Sequence, residues 1–211
     1  MDEFIAACEA GAPHANESDM RGLRGAIRRA RGDTAGSRLD YARAVELARA
    51  SPGSTRLIAA LIASAAMHAE RDELDDARAL VAEALPIMRD TGQVAALLQL
   101  VGFVERLGVR DSLLEAIRAN PWQRRIFWRD AAVLAMEGSL IEAATFVSPT
   151  GAITIESQLR FRGGQELIAA GRHAEGKDEL ERALAFYRRI DATAYVADIE
   201  AALSSAQSES A

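Results

Sequence analysis

The sequence predicts an all-α fold, a solenoid of antiparallel helix pairs, and three observations predict it. Hydrophobic residues make up 49% of the chain and Ala about a fifth, whereas aromatics make up 5% and there are only 5 Pro, a balance that favours closely packed helices over sheet. Apolar or small residues recur on one helical face in the clearest stretch, at Gly176, Leu180, Ala183, Leu184 and Tyr187. The same helix-turn-helix grammar then returns upstream. Gly138 stands thirty-three positions before Gly171, and Ala77 sixty-six positions before Ala143, a period that repeats of paired helices show.

Taken in order, residues 1–16 form an N-terminal segment, 17–205 the helical-repeat domain and 206–211 a polar tail expected to fray. ESDMRGLRGAIRRARG and SRLDYARAVELARASPG make a first pair, the second helix stopped by Ser51, Pro52 and Gly53. TRLIAALIASAAMHAERDELDDARALVAEAL makes the next, and QVAALLQLVGFVERLG with RDSLLEAIRAN reads as a degenerate pair whose second helix is shortened. Asn120 is a natural N-cap with Pro121 at the first helical position, opening a helix that turns at Gly138. SQLRFRGGQELIAAG ends on Gly171, and the following helix shows Lys177, Asp178, Glu181, Arg182 and Arg188 to water, with Asp178 and Arg182 spaced for an ion pair. ATAYVADIEAALSS closes the array as a capping helix.

Several function classes are disfavoured. Cys8 is the only cysteine, so neither a disulfide framework nor a thiolate zinc site is available, and a reducing cytoplasm fits. The N-terminus carries acid where an export signal needs base, and the most apolar run, Leu57 to Ala69, falls short of the ~20 residues of a membrane span. A net charge of −6 argues against general nucleic-acid binding. GRHAEGKD has P-loop spacing, but Asp178 stands where Ser or Thr would hold Mg²⁺ and no strand precedes it, so the stretch reads as a turn between helices. His14, His68 and His173 are scattered, and no nucleophile motif occurs; no metal, cofactor or catalytic residue is expected, and the chain is not expected to be an enzyme. Arg21, Arg24, Arg28 and Arg31, with Arg29 beside them, form a basic stripe that could dock an acidic partner. The acidic remainder favours a solvated face with counter-charges on neighbouring helices. In NPWQRRIFWRD, Trp122, Phe127 and Trp128 among arginines read as core packing at a helix start.

On these residues the chain resembles the tetratricopeptide-repeat family. Its small and apolar signature positions are met by Gly164, Gly176, Ala183 and Leu184 in the last repeat and by Ala65, Ala77, Ala84 and Leu85 in an earlier one. His68 and Leu167 stand where the family has Tyr, so the repeats are divergent. The C-terminal part is similar to the helical-repeat region of large bacterial ATPase-coupled regulators, the LuxR-type transcriptional regulators and ATPase-linked cyclases. Ala170-Gly171-Arg172, Ala174-Glu175, Leu180 through Tyr187, Ala192-Thr193 and Tyr195 carry that likeness. Where those proteins have alanines, Gly163 and Gly164 each cost a helix about 1 kcal/mol, which points to close helix approach.

The resemblance implies a non-catalytic scaffold or protein-interaction module in bacterial signalling or transcriptional regulation, cytoplasmic, without direct nucleic-acid or membrane contact. Carried over by position, the concave wall falls on Arg125, Trp128, Ala132, Ala135 and Met136, then on Gln158, Phe161, Gln165, Ile168 and Ala169. The expectation is an apolar groove for a peptide or helix, rimmed by Arg125, Gln158 and Gln165, with Trp128, Met136 and Phe161 as partner-binding residues. Two alternatives stay open: that the aromatics are buried because the array curls shut, and that the module senses a small ligand for an attached ATPase, cyclase or DNA-binding domain.

Overall fold

A computed structural model describes residues 1–51, 53–119 and 127–209, and all regular structure among them is helical. A short α1 (Asp2–Glu9) leads into α2 (Glu17–Ala30), α3 (Thr34–Ala50), α4 (Ser54–Glu70) and α5 (Leu74–Thr91). A 3-10 segment (Ala95–Leu100), α6 (Val104–Leu107) and α7 (Arg110–Ala119) follow. After them come α8 (Phe127–Met136), α9 (Leu140–Val147), α10 (Ile153–Ala169), α11 (His173–Arg189) and α12 (Thr193–Glu209). No helix among the described residues is long and apolar enough to cross a membrane.

The turns show why the chain reverses where it does. Gly32, Gly138 and Gly171 take left-handed backbone conformations, and Asp72 takes the same one at φ 62°. Asp is among the few side chains that tolerate this region. Five positions after each of these residues stands a buried small residue, Ser37, Ala77, Ala143 or Gly176. There the second helix of the pair is drawn against the first, so the register read from the last two pairs also governs the first. The closest partnerships are α2 with α3, α4 with α5, and α10 with α11.

Periodicity placed the faces well. Leu180, Ala183, Leu184 and Tyr187 are all buried on α11, and Ile58, Leu61, Ile62, Ala65, Ala66 and Ala69 are buried on α4. Each large aliphatic side chain so removed from water stabilises the fold by about 1.5–3 kcal/mol. Gly163 is explained by contact: a Cβ there would lie 2.5 Å from Ile141 on α9.

Four details add to or differ from the expected layout. In the degenerate pair α7 is short, at ten residues, as expected, but the first member is also broken, into the 3-10 segment and one turn of α6, with Gly102 at positive φ between them. Residues 1–16 contain a helix, α1, whose Ile5 is fully buried. The tail expected to fray continues α12 through buried Ala206 to Glu209. Arg182 pairs at 3.0 Å with Glu179 rather than with Asp178, since Glu179 is also held by Arg160 at 2.5 Å and lies on the packed side of α11.

The first segments of successive pairs also touch one another in a circuit: α2 with α4, α4 with Ala95–Leu100, that segment with α10, α10 with α12, and α12 with α2. Two buried polar contacts tie this circuit together over long sequence separations. Arg162 and Tyr195 both reach Glu70, at 3.3 and 3.4 Å.

Candidate binding cavity

The circuit borders an open-mouthed cavity of about 240 Å³ whose wall comes from α2, α4, α10, α11 and α12. Helical spacing presents each face. Leu23, Ala26, Ile27 and Ala30 line it from α2, and Thr154, Gln158, Phe161 and Arg162 from α10, both at intervals of three and four. A second cavity of about 270 Å³ shares Leu23 and Ala26 with the first and reaches Tyr41 and Gln99. Between the two, the Gln158 side-chain amide donates to the Gln99 carbonyl at 3.2 Å.

Charge is concentrated at one end. Glu70 is the last residue of α4, where the helix dipole disfavours a carboxylate. Arg162 at 3.3 Å and Arg29 at 3.6 Å compensate it. Arg162 lies flat between Phe103 and Phe161, its guanidinium carbon 4.8 and 4.7 Å from the ring centres, and also donates to the Gln165 side chain at 3.1 Å. Gly102 makes room for it, because a Cβ there would come within 2.8 Å of Arg162 Cδ. Arg29 lies over the rings of Tyr41 and Tyr195, 5.9 and 6.0 Å from their centres. Burial opposes its charge, but Tyr195, Tyr41 and Glu70 more than offset that and hold its pKa above the ordinary value.

Hydrogen-bond donors outnumber acceptors here. The Nε and Nη1 atoms of Arg29, Nε of Arg162 and the hydroxyl of Tyr41 are buried and make no hydrogen bond to any described residue. Burial pushes Tyr195 up to about 12 and raises Tyr41 and Tyr187 as well, so all three phenols keep their protons at neutral pH. Buried polar groups without partners are uncommon in folded proteins, and two guanidinium groups sharing one carboxylate mark a place suited to an acceptor-rich guest.

The residues expected to bind a partner separate into groups. Gln158 and Phe161 line the cavity, Phe161 at 1% exposure, and Gln165 braces Arg162. Met136 is fully buried, and Trp128 packs half-buried on the main core. Arg125, Trp122 and the Asn120-Pro121 helix start lie outside the described residues. Sequence reasoning missed Arg29, Glu70, Arg162 and Tyr195 as one cluster. The available signals were Arg162 set between Phe161 and a glycine pair, and an acidic residue closing an apolar helix.

The basic stripe is not a solvated face. Asp40, 1% exposed, receives two hydrogen bonds from Arg24 at 2.8 and 2.7 Å and one from Arg28 at 2.8 Å, with Arg21 3.6 Å away. Arg21 also donates to Glu17 and Glu9. Counter-charges on neighbouring helices therefore lock α1, α2 and α3 together, while Arg31 stays exposed. His68, Glu73 and Asp76, dispersed in sequence terms, gather at the α4–α5 turn with possible ligand atoms within 4.8 Å of one another. Arg38 at 2.9 Å and Arg71 at 3.1 Å already neutralise Glu73, which disfavours a further cation there.

Comparison with protein-family models, curated proteins and solved structures finds no match to the chain.

Proposed function

We propose that the chain is a tetratricopeptide-like helical-repeat module that binds a small ligand inside its inner face, as a regulatory sensor rather than a catalyst. One observation carries this reading: an open-mouthed cavity lined by five helices, with guanidinium nitrogens of Arg29 and Arg162 that are buried and make no hydrogen bond to any described residue. The repeat character is supported by the shared turn register and by the burial of Ala65, Ala77, Ala84, Gly164, Gly176 and Ala183 at the signature positions. The inner face favours a small guest over a peptide, because a helix with its side chains is about 10–12 Å across, too wide for this volume. Contact between α12 and α2 gives occupancy a route to an attached domain, since a guest touching both biases how the ends of the array meet.

Thermal-shift screening of a fragment library tests the reading. Bound compounds raise the melting temperature by mass action, about 2.7 kcal/mol of stabilisation at a hundredfold excess over Kd. Hits should be lost in Ala30→Leu, which fills the wall of this cavity and not of the second. A library without hits, or hits retained by that variant, counts against the cavity as the binding site.

A further inference from the structure

The cavity wall also specifies the chemistry of its guest. Resting on the small-ligand reading above, we infer that the cavity takes a compact amphipathic monocarboxylate, its carboxylate held between Arg29 and Arg162 and its apolar body running toward the mouth.

Three features lead there. The wall carries two guanidinium groups and one carboxylate, Glu70, so it has a single surplus positive charge in a chain whose net charge is −6. One negative charge on the guest balances it, whereas a dianionic phosphate would leave an uncompensated charge in a mostly buried place. The unpaired donors are the Nε–H and Nη1–H groups of Arg29 and the Nε–H of Arg162, each able to give one charge-assisted hydrogen bond to a carboxylate oxygen. The remaining wall is apolar or aromatic. Phe161 meets Tyr187 and Tyr195 edge to face with ring centres 6.4 Å apart, and the two tyrosine rings meet tilted at 5.0 Å. Leu23, Ile27 and Ile190, which line the same cavity, are 49, 39 and 45% exposed, an apolar lip that a hydrocarbon body would cover.

Glu70 gives the proposal an unusual sign. It competes with the guest for both guanidinium groups, so removing its charge should strengthen anion binding, although ordinary loss of a buried ion pair weakens whatever depends on it.

Isothermal titration calorimetry with benzoate, 4-phenylbutyrate and octanoate, each beside its matched alcohol and amine, tests this on the full chain. At least one acid should bind one to one, about tenfold or more tighter than its alcohol, and the amines should bind least. Arg162→Gln should weaken that acid about tenfold and Glu70→Gln should tighten it. An alcohol matching its acid, an amine preferred over its acid, or weaker acid binding in Glu70→Gln would overturn the proposal. So would the failure of all three acids. Fragment hits that Ala30→Leu abolishes would then keep the cavity as a small-ligand site while removing the carboxylate, so the two ideas fail separately. If Arg162→Gln does not fold, the matched series on the unaltered chain and Glu70→Gln still decide.

Discussion

Gly164 on α10 and Gly176 on α11 face each other where the two helices cross, and each occupies the space a side chain on the other would need. A Cβ on Gly176 would lie 2.8 Å from the Gly164 carbonyl oxygen and 2.7 Å from Ile168, and one on Gly164 would lie 3.0 Å from the Gly176 carbonyl oxygen. Ala would gain about 1 kcal/mol of helix propensity, but forcing helix backbones apart costs about 1–3 kcal/mol. Gly176→Ala is therefore expected to lower stability in urea titrations. Gly22, inside α2 with nothing within 4 Å of its would-be Cβ, is the control, and Gly22→Ala should stabilise.

Asp40 is the buried anion that three arginines share. Its replacement by Ala leaves Arg21, Arg24 and Arg28 crowded without their common partner, and loss of one member of a buried pair costs about 3–5 kcal/mol. Urea unfolding of Asp40→Ala measures this. A loss under about 1 kcal/mol, the range of an exposed ion pair, would mean that the stripe is solvated in solution.

Phe161 decides between the open wall and the closed array. At 1% exposure its truncation to Ala should cost about 3–5 kcal/mol. Trp128→Ala, half-buried, should cost less, and the reverse order would place Trp128 rather than Phe161 at the centre of packing.

Acid should loosen the α4–α5 turn. The hydrogen bond from His68, with those of Arg71 and Arg38, brings the Glu73 carboxylate from 4.5 down to about 2. A depressed folded-state pKa contributes stability that is fully present above 4.5 and is lost as pH falls toward 2. The melting temperature of the parent chain should fall more steeply across that window than that of Glu73→Gln; parallel curves would contradict the assignment.

Lys177, the lysine of the P-loop-like spacing, lies on α11 with its side chain 48% exposed and Glu181 3.8 Å away. Lys177→Ala should change stability by less than about 0.5 kcal/mol. Saturable ATP binding that vanished in this variant would refute the reading of GRHAEGKD as a turn.

Helix faces and turns were legible in the sequence because they depend on local spacing. Leu180 to Tyr187 and the Gly138 and Gly171 turns needed only periodicity and the permissiveness of glycine. The Asp72 turn was placed by the repeat period rather than by residue type, because Asp tolerates left-handed backbone less often than Gly. The cavity was hidden for a different reason. Its polar end joins Arg29, Glu70, Arg162 and Tyr195 from four helices, and Tyr195 meets Glu70 across 125 positions. No window of sequence contains that encounter. It depends on how far a series of pairs curves, which many small side-chain volumes set together. The register likewise grouped Phe161 with Gln158 but could not say that Phe161 is left only 1% exposed.

The contact of α12 with α2 also fixes an order of construction. During synthesis α2, α3 and α4 can pack as soon as they emerge, yet the wall around Arg29 and Glu70 lacks its last side until Tyr195 has been made and docked. A closure over so long a span carries a loop-entropy cost that local hairpins avoid, and such contacts slow folding. The cavity is thus the part of the molecule finished last. A chain cut before α12 should retain most of its helical signal while losing the chamber altogether.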